Sequence, residues 1–128
     1  MSHFTKVKTK INDLEALRRG LDALGYPYEV GGRVRAWDKT EVDAAIKINL
    51  PGAYYEIGVV PEADGYALTA DWSMLGIGRT QDEIVNGINR AYSVAKVTME
   101  CEAAGYSFEG APEVQADGSI VLNAVQWS

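Results

Sequence analysis

Apolar and polar residues alternate along two stretches of the chain, with the period of a strand that buries one face. Residues 3–11 place Val7 on one side and a row of lysines on the other. Residues 42–50 alternate more clearly, with Ile46 and Ile48 on the apolar side, and a Pro-Gly pair ends the stretch. Both stretches are therefore predicted to be strands.

A helical period follows the first predicted strand. Asn12 followed by Glu15 has the composition of a helix N-terminus, and Gly25 suits a helix end. Leucines recur between them at the spacing of a single helical face: Leu14, Leu17, Leu21 and Leu24. We predict a first helix with one buried face.

A second, longer helix is predicted from Thr80 to Gly105. Thr80 and Glu83 have the spacing of a capping box, in which the hydroxyl and the carboxylate bond each other's backbone N–H groups. The apolar residues that fall on one face are Ile84, Val85, Ile88, Ala91, Tyr92, Ala95 and Met99. This face is predicted to pack on the core.

The long helix carries a smaller apolar stripe beside its core face, formed by Val94, Val97 and Cys101. One interpretation is a wide core contact, in which a loop or strand edge also covers the stripe. The other is a surface for a second copy or another protein. Gly87 lies between the two stripes, and because mid-helix glycine costs roughly 1 kcal/mol relative to alanine, we expect close packing there.

Turn residues separate the remaining extended stretches. Gly31-Gly32 predicts a tight hairpin within residues 26–37. Asp64-Gly65 joins two further strands, and Asp117-Gly118 precedes a closing strand at residues 120–127. The pattern predicts one α+β domain over residues 1–128, with an antiparallel sheet of about five to seven strands and two helices packed on one face.

Composition excludes several classes of function. The chain has 128 residues and a net charge of −6, which argues against a nucleic-acid partner. A single cysteine excludes an internal disulfide and a cysteine-rich metal site. The sequence also has no apolar run of membrane-spanning length and no leader pattern. We therefore expect a cytoplasmic location, or the plastid stroma, and no membrane partner.

Few residues suit catalysis. The chain has one histidine, His3, and one cysteine, Cys101, which lies between two glutamates that disfavour a thiolate. No nucleophile motif or cofactor motif is present, so we predict no catalytic residues and no cofactor. Asp43, Glu56 and Asp71 lie on successive predicted strands and would hold a hard cation if they met. Solvated positions on a sheet face explain them more simply, and no metal site is predicted.

The loop before the long helix contains Gly76, Gly78, Arg79 and Thr80. Free amides at a helix N-terminus, together with an arginine, suit a phosphate or a carboxylate. The spacing matches neither a Walker A loop nor a dinucleotide motif, and glycines before a capped helix usually serve the turn. Anion binding here is the alternative hypothesis for function.

Lys6, Lys8 and Lys10 form a basic row on the first strand. The row would meet an acidic partner, or it would protect an edge strand from pairing with another copy. The sequence favours neither interpretation.

Short motifs along the chain resemble one known family. In order they are Met1-Ser-His-Phe4, Asp13-Leu-Glu15, Leu24-Gly-Tyr26, Glu56-Ile-Gly58, Ala70-Asp-Trp72, Asp117-Gly-Ser-Ile120 and Trp127. Together they resemble the family of the hypothetical chloroplast reading frame thirty-five, small proteins of red-algal plastids, cyanobacteria and other bacteria. The resemblance implies a cytosolic or stromal protein and brings no established activity. Bacterial members encoded near an AAA-type ATPase imply an accessory role with such a machine.

Two hypotheses for function follow. The leading one is a non-catalytic protein that binds a protein partner, with self-association into a homo-oligomer as one form of it. Its candidate interface residues are Val94, Val97 and Cys101 with the three lysines. The alternative is a binding protein or enzyme for a small anion or nucleotide, which uses the loop at residues 76–80.

Overall fold

The computed structural model describes residues 4–108, 113–116, 120–121 and 124–126. In chain order the elements are β1 (Thr5–Lys8), α1 (Leu14–Leu24), β2 (Tyr28–Val30), β3 (Arg33–Arg35), β4 (Glu41–Asp43), β5 (Ile46–Ile48), β6 (Ile57–Glu62), β7 (Gly65–Ala70), a 3₁₀ turn (Trp72–Met74), α2 (Gln81–Ala103), β8 (Tyr106–Phe108), β9 (Glu113–Val114), β10 (Ile120–Val121) and β11 (Ala124–Gln126). The α+β class predicted from the sequence is confirmed.

Five antiparallel strands form the main sheet, in the order β1-β7-β6-β5-β2. Both helices pack on one face of this sheet, where Val59 of β6 lies opposite Leu68 of β7 and both are fully buried. The largest buried side chains of this core are Ile11, Leu17, Leu21, Ile46, Ile48, Ile57, Leu68, Leu75, Ile84 and Ile88. The leucine stripe of α1 and the apolar face of α2 therefore meet the apolar side of the strands, as the two periods predict.

The first helix begins one residue later than predicted. Asp13, not Asn12, is the N-cap, and its carboxylate accepts hydrogen bonds from the N–H groups of Glu15 and Ala16 at 3.0 and 3.2 Å. Asn12 instead bonds the hydroxyl of Tyr92 on α2, through its own N–H at 3.2 Å and its side-chain oxygen at 3.0 Å. Either residue type caps a helix well, so the tertiary contact decides between them.

The ends of the long helix agree with the sequence. Both hydrogen bonds of the capping box between Thr80 and Glu83 form, each at 3.1 Å. At the other end the C-cap is Ala104, and Gly105 follows with φ of 92°.

The strand pairing between β2 and β5 corrects two predictions. Gly31-Gly32 is not a hairpin turn, because β2 pairs with β5 while β3 pairs with β4. The predicted strand at residues 42–50 is two strands, interrupted at Ala44-Ala45. The N–H of Gly31 bonds the carbonyl of Ala45, and the N–H of Ala44 bonds that of Gly32, at 2.7 and 2.9 Å. The two strand pairs are therefore one long hairpin that bends at the glycines.

The outer half of this hairpin, β3 and β4 with the turn between them, is called the arm below. Its turn lies at Asp38-Lys39, where Lys39 has φ of 72° and the Asp38 carboxylate accepts from the N–H of Thr40 at 3.1 Å. The bend carries the arm onto the face of the main sheet that the helices leave free. There Val34 is fully buried against Gly58, whose missing side chain leaves the space.

The predicted hairpin between β6 and β7 forms, but its turn lies one residue earlier than predicted, at Ala63-Asp64, because Gly65 pairs with Glu62 as the first residue of β7. The strand β9 pairs with β10, and β8 pairs with β11, which agrees with a hairpin in the last part of the chain. Asp117-Gly118 and Trp127 lie outside the described residues.

The two helices cross at Gly20, not at Gly87. A Cβ atom on Gly20 would lie 2.9 Å from the carbonyl carbon of Ala91 and 3.0 Å from the backbone nitrogen of Tyr92. Around Gly87, by contrast, an added Cβ would meet no atom of the described residues within 4 Å. The expectation that something packs against Gly87 is therefore wrong within the described part of the chain.

Alanine substitutions at these two glycines should change stability in opposite directions. Gly20→Ala should lower the free energy of unfolding by about 1–2 kcal/mol, because α2 must move away from α1. Gly87→Ala should raise it by about 0.5–1 kcal/mol, since only helix propensity changes. Urea unfolding followed by circular dichroism measures both. A stabilised Gly20→Ala variant would contradict the close helix crossing.

The ion pair between Asp13 and Lys96 should make stability depend on acid pH. The hydrogen bond from Lys96, 3.0 Å long, and that from the Ala16 N–H hold the pKa of Asp13 below its ordinary value. The carboxylate therefore stabilises the fold above its unfolded pKa of about 3.9, and this contribution is lost as pH falls through the lower folded value.

Asp13→Asn keeps a good N-cap and removes the charge. Unfolding at pH 7 should show this variant to be less stable than wild type, and the difference should shrink at pH 3. Asp13→Ala should cost about 1 kcal/mol more, because the cap is lost as well. An unchanged difference between wild type and Asp13→Asn at the two pH values would refute the linkage.

Candidate protein-interaction surface

A long apolar groove lies between the two helices on the side away from the sheet, and is called the α1–α2 groove below. Its volume is about 450 Å³. The residues that line it are Arg19, Gly20, Ala23 and Leu24 of α1, and Gly87, Arg90, Ala91, Val94, Ala95 and Thr98 of α2. Of the sequence-predicted interface residues, only Val94 lines it.

Small side chains create the groove. Gly20 brings α1 against the backbone of α2 at Ala91, so the two helices touch along the floor. Gly87 and Ala95 add no bulk above that contact, whereas Leu24 stands at the edge with 37% of its surface exposed. The hydroxyl of Thr98 donates to the carbonyl of Val94 at 2.7 Å and is therefore used within the helix. What remains to contact a ligand is largely apolar.

Two arginines stand at the rim. Arg19 forms an ion pair of 3.7 Å with Glu102, and both side chains are about half exposed, so this pair contributes little to stability. Arg90 makes no side-chain hydrogen bond or ion pair with any described residue. No acidic residue is among those lining the groove. The rim is thus positive on a chain whose net charge is −6.

The predicted stripe continues the outer wall of the groove. Arg90, Val94, Val97 and Cys101 follow one another at positions i, i+4, i+7 and i+11 of α2, so they form one strip along the helix. Val97 is 40% exposed and Cys101 is partly buried. The groove and the strip adjoin at Val94, which belongs to both.

The loop at residues 76–80 offers few free groups to an anion. The guanidinium of Arg79 donates to the hydroxyl of Tyr26 at 2.7 Å, and Gly76 lies against the ring of Tyr54. The helix N-terminus is already bonded by the carboxylate of Glu83, and the backbone N–H of Thr80 lowers the pKa of that carboxyl. An incoming anion would therefore have to displace a negative charge that the chain itself supplies.

The lysine row lies on an edge strand. Among the described strands β1 pairs with β7 alone, and Lys6 and Lys8 lie on its side away from the helix-packed core. Lys6 forms an ion pair of 2.9 Å with Glu62, and Lys10 lies beyond the end of the strand. The position of the row favours protection of the edge, while its use by a partner stays a prediction.

The three acidic residues considered for a cation have separate partners. Glu56 is buried and accepts from Arg35, through the guanidinium at 2.9 Å and the backbone N–H at 3.3 Å. Asp71, also buried, accepts from the N–H of Trp37 at 2.9 Å, and Asp43 pairs with Arg33. The described residues contain no cluster of three or more acidic, histidine or cysteine side chains suited to a metal.

The comparisons with known proteins place the chain in a family. The family described as Protein of unknown function (DUF1257) matches residues 20–123. The chain belongs to this family.

Two relatives match along almost the whole length of both chains. The Uncharacterized protein ycf35 of Pyropia yezoensis is 29% identical over 133 residues, covering 100% of this chain and 99% of the relative. The protein of the same name from Guillardia theta is 24% identical over 127 residues, covering 99% and 98%. These names confirm the resemblance to the chloroplast reading frame. No solved structure matches the chain significantly.

In the described part of the chain, no helix has the length and apolar character needed to cross a membrane.

The sequence patterns predict only part of the groove. They assign Ala91 and Ala95 to the core face, against which Ala95 does pack, and they do not mark Gly20, Ala23 or Arg90. A signal was present, since glycine and alanine are unusually frequent on one side of α2 between Gly87 and Ala95. Small residues along one helix face indicate a flat surface. Only the position of the neighbouring helix determines which of these residues stay exposed.

The buried carboxylate of Glu56 should be needed to hold the arm on the sheet. Glu56→Ala should lower the free energy of unfolding by about 1–3 kcal/mol, because the backbone N–H of Arg35 loses its partner. Glu41→Ala, which removes an exposed carboxylate from the same arm, is the matched control and should change stability little. Chemical unfolding of both variants tests this. Equal losses would show that the buried acceptor has no special role.

Proposed function

We propose that this protein is a non-catalytic binding protein and that its α1–α2 groove receives apolar side chains of a protein partner. The observation that carries the proposal is Gly87. A mid-helix glycine destabilises the free protein by roughly 1 kcal/mol relative to alanine, and no described residue packs against it. Gly87 lies in the wall of the groove, where its missing side chain leaves space for a side chain of the partner.

The composition of the groove supports a protein partner over a small molecule. Small-molecule sites usually add several convergent polar groups to an apolar cavity, which fix the orientation of the ligand. Here the polar groups are the two rim arginines and a hydroxyl that already bonds Val94. An open, apolar channel with a charged rim has the composition of a protein interface, whose centre is apolar and whose edge is polar.

The strip of Val97 and Cys101 extends this proposed surface along α2. The proposed role is that of an accessory factor in a larger assembly, in the cytoplasm or the plastid stroma, with an ATPase of the AAA type as the partner class that the family resemblance implies. The alternative, anion or nucleotide binding at residues 76–80, has less support, because Arg79 and the capped helix N-terminus already have partners. Self-association into a homo-oligomer is the second form of the main proposal.

Filling the groove should abolish partner binding without harming the fold. In Gly87→Met the new side chain has open space, so the melting temperature should stay equal or rise, while the groove is occupied. Asn89→Met, roughly 160° around α2 from Gly87, is the matched control. Tagged wild type and both variants are incubated with extract of the source organism, and bound proteins are identified by mass spectrometry.

The expected result is a partner that wild type and Asn89→Met retain and that Gly87→Met binds at least about tenfold more weakly, or by 1.4 kcal/mol. Retention by all three proteins would remove the groove from the proposal. A rise in melting temperature with inorganic phosphate that is lost in Arg79→Ala would instead support the anion site. Sedimentation velocity of the purified proteins shows whether the retained partner is a second copy.

A further inference from the structure

The α1–α2 groove has properties that restrict the kind of segment it accepts, which deepens the proposed function and rests on it. Both walls are helices, so their backbone N–H and carbonyl groups are bonded within each helix, except for the carbonyls in the last turn of α1. An extended segment placed there would find no backbone partners for its own polar groups. A helix bonds its own backbone internally and avoids this cost.

The dimensions also suit a helix. The lining of α2 extends from Gly87 to Thr98, which corresponds to about 16 Å of helix axis, or three turns. A third helix packs between two others by placing its side chains in the groove between them, and small residues allow its axis to approach closely. Gly87, Ala91 and Ala95 supply such residues along the α2 wall.

The charge of the rim restricts the partner further. Arg90 has no partner among the described residues, and Arg19 has only a long ion pair with Glu102. Among the described residues no acidic side chain lines the groove, although the chain has 18 acidic and 12 basic residues in all. The positive rim is therefore opposite to the charge of the whole molecule.

We infer that the occupant of the groove is an amphipathic helix of another protein whose apolar stripe is flanked by aspartate or glutamate. Apolar side chains at positions i, i+3, i+4 and i+7 fill the channel, and acidic residues beside them meet Arg19 and Arg90. A second copy of this chain is a poor occupant through its own α2, because an isologous contact would bring Arg90 into the same positive groove that it lines.

Two synthetic peptides test the charge requirement. Each has about 18 residues, long enough to form a helix, with leucines at the four stripe positions. One carries glutamates beside the stripe and the other carries lysines at the same positions. A third peptide has the composition of the acidic one in scrambled order. Binding to the full chain is measured by fluorescence anisotropy at low and high salt.

The acidic peptide should bind at least about tenfold more tightly than the lysine peptide or the scrambled peptide, and added salt should weaken it. Arg90→Glu should lower the affinity for the acidic peptide by about five- to tenfold. The difference in affinity between the acidic and the lysine peptide should therefore become smaller. Lys39→Glu, which changes the net charge equally in the turn of the arm, on the face of the main sheet away from the helices, should leave the binding unchanged.

Each contrary result has a distinct meaning. Equal binding of the acidic and lysine peptides, lost for both in Gly87→Met, would overturn the charge inference and leave the groove as the binding surface. Acidic-peptide binding that survives Gly87→Met would contradict the groove itself. No binding of the acidic peptide beyond that of the scrambled one, or a dimer of the purified chain that disappears in Gly87→Met, would overturn the inference of an acidic helix.

Discussion

The close crossing of α1 and α2 at Gly20 is the contact on which the rest of the structure depends. Because Gly20 has no side chain, the backbone of α2 at Ala91 lies where a Cβ atom would otherwise stand. The two helices can then sit side by side over the same face of the main sheet and bury Leu21 and Ile88 together. Tyr92 and Lys96 fasten the start of α1 to α2 by hydrogen bonds to Asn12 and Asp13. The same approach creates the groove above the contact.

The sheet is covered on both faces, and by different means. Helices cover one face, while the arm folds over the other and places Val34 against Gly58. Glu56 is then buried, and its carboxylate accepts hydrogen bonds from Arg35. The arm thereby covers the part of this face around Gly58, while Lys6 and Lys8 of β1 stay exposed.

Sequence patterns predicted what local periodicity controls. Both helices, the capping box at Thr80, the hairpin between β6 and β7 and the α+β class follow from spacing within a few residues of each other. The arm could not be predicted in this way. Residues 42–50 alternate without a break, although Ala44 and Ala45 lie where the hairpin bends. Gly20 and Gly87 likewise look the same in the sequence. Only the position of α1 determines that the first is packed and the second is open, so the groove could not be read from the pattern.

The distribution of charge explains why the helices, and not the glycine loop, are the stronger candidate site. At the loop every prominent group has a neighbour: Arg79 bonds Tyr26, and Glu83 neutralises the helix end. At the groove Arg90 has no counter-charge within the described residues, beside apolar surface that no described residue covers. Exposed apolar surface and an unpaired charge each lower the stability of the free protein little. A partner that contacts both would gain binding free energy from both. The two features adjoin only along α2, because Gly87 and Arg90 lie one turn apart on the same wall.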